Sequence, residues 1–133
     1  INTIFTSEDI FFDKIRQFTH SYISFVMLNP YLPSFIIQEM NNNPEFVMSF
    51  LKNENRPNPT LLITQIEKEI ADGIIKPINP KHLLMNMISM TVFPFAAQMM
   101  IKGILQISDT EFNAMMEERK TSIAEQIINS IKR

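Results

Sequence analysis

The stretch Leu83 to Ile101, LLMNMISMTVFPFAAQMMI, runs for nineteen residues without a charged side chain, yet it contains Asn86, Pro94 and Gln98. Such a run has two physical solutions. It crosses a bilayer, or it forms a helix buried on every face between its own domain and a second protein surface. The run is rich in Met rather than Leu or Val and has no belt of Trp or Tyr. It would also expose polar and helix-breaking residues to lipid. The expectation is a buried helix, with no membrane among the partners.

On such a helix Ser89, Ala96 and Gly103 recur at seven-residue spacing and share one line, and all three are small. Met87, Met90 and Ile101 flank the line on one side, Ile88, Phe95 and Met99 on the other, enough to fill two different contacts. Small residues let two helix backbones approach closely. The line therefore packs either on a helix of the same chain or on a second copy.

The remaining pattern is helical almost throughout. Only two glycines occur in 133 residues, no alternating run is bounded by turn pairs, and apolar residues recur at spacings of three and four. This predicts one all-α domain, a bundle of about five to six helices over residues 1–133. Ser7 can cap the first long helix, with Glu8 and Asp9 at its positive end, and the helix runs to Asn29. Its expected core stripe is Phe11, Ile15, Phe18, Tyr22, Phe25 and Val26, with Asp13, Lys14, Arg16 and Gln17 turned to water. Pro30 and Pro33 interrupt before a short helix from Ser34 to Met40. Another follows from Glu45 to Lys52, with Phe46, Val47 and Phe50 inward, and the polar loop NENRPNP succeeds it. A helix from Thr60 to Asp72 carries Leu62, Ile63, Ile66 and Ile70 on one side and ends at Gly73. Asn79 and Pro80 open the uncharged helix, which Pro94 should kink without ending before Leu105. Ser108 or Asp109 caps the last helix. Its stripe Phe112, Met116, Ile123, Ile127 and Ile131 is interrupted by Arg119 and Lys120.

Several function classes lack their residues. Cysteine is absent, which excludes disulfides and thiolate metal sites. The formal charge is −2 and no basic cluster stands out, so the chain alone is a poor duplex-DNA binder. His20 and His82 have no acidic residue three or four positions away to build a bundle metal site; His20 is expected at a boundary and His82 on the surface. No nucleophile triad or phosphate-cradling glycine loop is present, so neither catalytic residues, metal ligands nor a cofactor is expected. The surplus is apolar, with ten methionines and eleven phenylalanines. Met-rich walls fill irregular cores, and they also adapt to varied ligands.

Four pieces in this order resemble the C-terminal regulatory domain of TetR-family transcriptional repressors. They are the Asn-Pro corner LNPYLPSFIIQEMNNNPEF, the helix end Ala-Asp-Gly-Ile-Ile-Lys-Pro-Ile-Asn-Pro, the Met/Phe helix with its internal Phe-Pro-Phe, and the terminal helix with an acidic start. The similarity covers nearly the whole chain. It implies an effector pocket within each subunit and a homodimer in which the last two long helices of both copies form a four-helix bundle. The resemblance also implies a cytoplasmic protein that reaches DNA only through an N-terminal helix-turn-helix missing from this chain. Ile1 to Phe5 would be the tail of the helix linking the two domains. The chain begins at Ile1 without an initiator Met, as a fragment or processed product would. For the pocket the expected lining is Phe18, Tyr22, Ile66, Met87 and Thr91, around a small hydrophobic or amphipathic effector. The expected dimer contacts are Ser89, Ala96, Gly103, Ile123 and Ile127. A different class would be a stand-alone helical adaptor whose apolar groove takes an amphipathic helix. An enclosed elongated pocket favours the repressor, an open surface groove the adaptor.

Overall fold

The computed structural model describes residues 10–51 and 59–133, and over them the chain is all-helical. Seven helices follow one another: α1 (Phe11–Leu28), α2 (Leu32–Asn42), α3 (Pro44–Leu51), α4 (Thr60–Ala71), α5 (Pro80–Ala96), α6 (Gln98–Leu105) and α7 (Asp109–Ile131). The expected cap at Ser7, its neighbours Glu8 and Asp9, Ile1 to Phe5, and residues 52–58 of the polar loop lie outside the described residues, as do the side chains of Val47 and Phe50.

Local signals place the helix ends. Asn79 accepts from the backbone N–H of Lys81 at 2.9 Å and opens α5, and Ser108 accepts from Glu111 N–H at 3.1 Å and opens α7. Both satisfy an N–H that the first helical turn leaves without a partner. Gly73 takes φ +76°, where a side chain would be strained. Its N–H then reaches Ile70 O at 3.1 Å and that of Ile74 reaches Glu69 O at 3.0 Å, the paired bonds of a Schellman end. The turn aims Ile75 inward, where it is fully buried. Lys76 N–H donates to Ile131 O at 2.7 Å, tying the segment after α4 to the end of α7.

The interior is two apolar clusters in series. The larger joins Phe11, Ile15 and Phe18 of α1, Leu62 and Ile66 of α4, Leu83 and Met87 of α5, and Ile123, Ile127 and Ile131 of α7. The smaller joins Ile23 and Val26 of α1, Phe95 of α5, and Phe112 and Met116 of α7. Its Phe95 and Phe112 rings meet edge to face at 6.0 Å, a favourable aromatic geometry. Along α1 the large cluster comes first; along α7 the small one does. These two long helices therefore run antiparallel, and they form the main contact of the fold.

Four expectations are corrected. Lys14, expected in water, is 5 % exposed and donates from Nζ to Gln65 Oε1 at 2.6 Å. Its amine is satisfied while its stem packs against apolar neighbours. Phe25 and Phe46, expected inside, are 52 % and 69 % exposed. Helical period alone marks an apolar face and does not say whether the rest of the chain covers it. The uncharged helix does not continue through a kink. It breaks at Ala97, where the α5 and α6 axes bend by 76°, adding the seventh helix.

Pro94 itself stays inside α5. Without an N–H it cannot bond the carbonyl of Met90, four residues earlier. That carbonyl is taken instead by Arg119 of α7, whose Nη2 lies 2.7 Å away. At the elbow, Gln98 Nε2 donates to Pro30 O at 3.0 Å and to Phe95 O at 3.3 Å, while Lys102 Nζ donates to Gln98 Oε1 at 3.0 Å. One amide thus ties the elbow to the corner between α1 and α2. No single helix among the described residues is long and apolar enough to cross a membrane.

Candidate functional site

The five expected lining residues all lie within or against the interior. Phe18, Ile66 and Met87 are buried members of the larger cluster. Tyr22 packs against both clusters, with its ring 5.7 Å from that of Phe18. Thr91 is buried one turn after Met87 and one turn before Phe95. Its hydroxyl lies 2.8 Å from Met87 O and 3.0 Å from Ile88 O. This donor is already engaged by its own helix, so Thr91 can offer a ligand only its acceptor side.

Two residues that sequence reasoning passed over occupy the same level. Thr19 of α1 stands between Phe18 and Ile23, one on each cluster, and its fully buried hydroxyl has no hydrogen-bond partner among the described residues. Arg119 of α7 stands between Met116 and Ile123, again one on each cluster. Along each helix the change from one core to the other falls at polar residues, Thr19 and Tyr22 on α1, Thr91 on α5 and Arg119 on α7, and this level is the polar waist of the interior. Burial pushes the Tyr22 phenol up, which keeps it a neutral donor at physiological pH. Burial also draws the Arg119 guanidinium down, with no carboxylate opposing that shift. The signal for both was an interruption of an apolar stripe, by Thr19 within Ile15, Ile23 and Val26 and by Arg119 within Met116 and Ile123.

Three grooves among the described residues lie elsewhere and share none of the five. One of about 360 Å³ runs between α1 and α7 beside Arg16, His20, Lys120 and Glu125. Its charges are paired: Arg16 Nε meets Glu125 at 2.8 Å, Arg16 Nη1 meets Asp13 at 2.9 Å, and Lys120 meets Glu117 at 2.9 Å. The hydrogen bond from Arg16 holds the Glu125 carboxyl below the usual carboxylate range. His20 and His82 are both exposed. A second groove, about 380 Å³, opens beside Ile10, Phe12 and Ile74. The third, about 740 Å³, lies under the elbow between Tyr31, Phe95, Met99, Met100 and Ile107, with the Lys102 to Asp109 ion pair of 2.9 Å at its rim.

The expected dimer residues divide. Ser89 and Gly103 are exposed and Ala96 is half-buried. A Cβ built on Gly103 would meet nothing within 4 Å. Around them stands bare apolar surface, with Met85, Ile88 and Phe93 of α5 and Met99, Met100, Ile104 and Leu105 of α6 all at least half exposed. Ile123 and Ile127 belong to a different place. Each is 2 % exposed inside the larger cluster, so the chain's own core already uses them and they present nothing to a second copy. Their stripe faces α1, because the apolar side of α7 is covered by that helix.

Among the described residues no three His, Asp or Glu side chains converge as metal ligands would. Compared with known protein families, curated proteins and solved structures, the chain matches none.

Proposed function

We propose that the chain is the effector-binding and dimerising domain of a TetR-like transcriptional repressor. In this reading two copies pair through the outer faces of α5, α6 and α7. A small apolar or amphipathic effector enters between α1, α4 and α5, and DNA is bound only through a helix-turn-helix domain preceding this one. The protein works in the cytoplasm and carries out no reaction of its own. One observation carries the proposal: α5 and α6 hold seven large apolar side chains at least half exposed beside Ser89, Ala96 and Gly103. Large apolar side chains left bare in such number on two successive helices suit an association site.

In a two-fold interface the same patch meets itself, so a substitution acts twice. The wild-type chain is expected to sediment as a dimer. Ala96→Arg should dissociate it by placing two unpaired like charges together, and Gly103→Leu should weaken it by overfilling a close approach. A monomeric wild type refutes the dimer; a dimer indifferent to both changes moves the interface to another face. The coding sequence upstream of Ile1 is a second check, since about 50–60 residues with a helix-turn-helix should precede it.

One feature favours a second reading. The elbow groove is open to solvent and apolar, as a helical adaptor receiving an amphipathic helix would need. In that case Ala96→Arg abolishes capture of a peptide helix by a monomeric chain.

A further inference from the structure

We infer that the polar waist between the two cores recognises an acid, Arg119 holding a carboxylate and the Thr19 and Tyr22 hydroxyls donating to it, so that the effector is an apolar acid. The inference rests on the effector-binding reading above and names the class of ligand.

A guanidinium has five N–H donors. Arg119 uses one bond, to Met90 O, and no other partner is found among the described residues. A half-buried cation with no counter-ion among the described residues is unfavourable, because desolvation weakens its hydration and one carbonyl replaces only part of it. Thr19 is the complementary oddity, a hydroxyl at 0 % exposure with no acceptor among the described residues. Native interiors rarely leave such groups unmatched, and a missing ligand group is one of the few explanations.

The surroundings decide the ligand's other end. To either side of the waist lie the two apolar clusters, with the buried Lys14, bonded to Gln65, beside the larger one. Tyr22 packs against both, so a ligand at the junction would reach both clusters. A ligand lodged there needs an apolar body for the clusters and an anionic head for Arg119. A carboxylate also fits the two-pronged guanidinium and accepts from hydroxyls. A primary amine would meet a cation; a neutral alcohol would leave the cation unpaired.

Arg119 also serves Met90 O, so its binding role must be separated from its structural one. Pro94→Ala supplies a backbone N–H for Met90 and frees the fold from that dependence. The experiment is titration calorimetry of the whole chain with decanoate, decanol and decylamine, each below its micellar concentration. Decanoate is expected to bind about tenfold or more tighter than decanol, the scale of one charge-assisted contact. In the Pro94→Ala background, Arg119→Met should erase that preference while leaving decanol affinity within about twofold. Thr19→Val should weaken decanoate a few-fold. Decanol binding as tightly as decanoate, a preference for decylamine, or an acid preference surviving Arg119→Met overturns the inference and leaves the effector reading standing. No heat from any of the three probes counts against both.

Discussion

The bond from Arg119 to Met90 O makes a quantitative prediction about how two distant substitutions combine. Pro94 deprives Met90 O of its helical partner, and Arg119 replaces that partner at 2.7 Å. Removing the donor by Arg119→Met leaves a carbonyl in a helix–helix seam with nothing to accept. Hydrogen bonds from charged groups contribute about 1.5–3 kcal/mol net, and the partial exposure of Arg119 puts this one near the lower end, about 1.5 kcal/mol. Met keeps most of the stem's packing, so the loss isolates the bond.

Pro94→Ala changes the background. An interior Pro is unfavourable by about 3 kcal/mol relative to Ala, but the Pro94 ring is buried and its packing is lost with it. The sign of the single change is therefore not the test. What matters is that Pro94→Ala gives Met90 O a backbone N–H from its own helix, which makes Arg119 redundant there. Arg119→Met should then cost about 0.5 kcal/mol or less, a coupling of about 1 kcal/mol between two residues joined by one acceptor. Urea unfolding of the four proteins at one fixed concentration measures it, the fixed concentration removing any contribution from association. Equal costs of Arg119→Met in both backgrounds would refute the reasoning and reduce the Arg119 contact to a surface convenience.

Two further outcomes follow from the geometry. Gln98→Leu removes the tie between the elbow and Pro30 and should destabilise by about 1 kcal/mol, with amide exchange rising first in α6, which buries no side chain of its own. The Glu125 carboxyl, depressed by its bond from Arg16, should titrate by NMR below the ordinary carboxylate range, and Arg16→Gln should return the midpoint upward. Because the folded value is the lower one, this pair contributes above the unfolded pKa and is lost as acidification passes the folded one.

Most of the fold was legible because its signals are local. Asn79, Ser108 and Gly73 act within a few residues of themselves, and each ends or opens a helix where its chemistry requires. The stripe of α7 was legible as a core face; its neighbour was not. Ile123 and Ile127 were expected against a second copy and lie instead against α1, since period shows which residues share a face and never what covers it. Phe25 and Phe46 erred in the opposite sense, as apolar residues on a helical stripe that the rest of the chain leaves bare. The interior around the expected lining residues was legible as apolar core, its polar members less so. Phe18, Ile66 and Met87 lie in the larger core and Tyr22 packs against both, whereas Thr19 was not singled out and Arg119 was noted only as a break in its stripe, because a polar residue within an apolar stripe looks like a flaw until its counterpart is known.

For Arg119 that counterpart lies in another helix, and the link between them can be reasoned from the chain. A proline inside a helix always strands the carbonyl four residues before it, and a stranded carbonyl in a packed seam needs a donor. Long cations can reach across a helix contact, and they are recognised by breaking a neighbouring helix's apolar stripe. Pro94 and Arg119 satisfy both halves of that condition. Lys120, the other break in the same stripe, does not, since it turns back to Glu117 on its own helix. The distinction between them follows from helical phase: Arg119 sits on the edge of α7 toward α5, and Lys120, one residue on, lines the groove beside α1. A single step of about 100° along the helix separates a cation that completes its neighbour's backbone from one that pairs within its own helix.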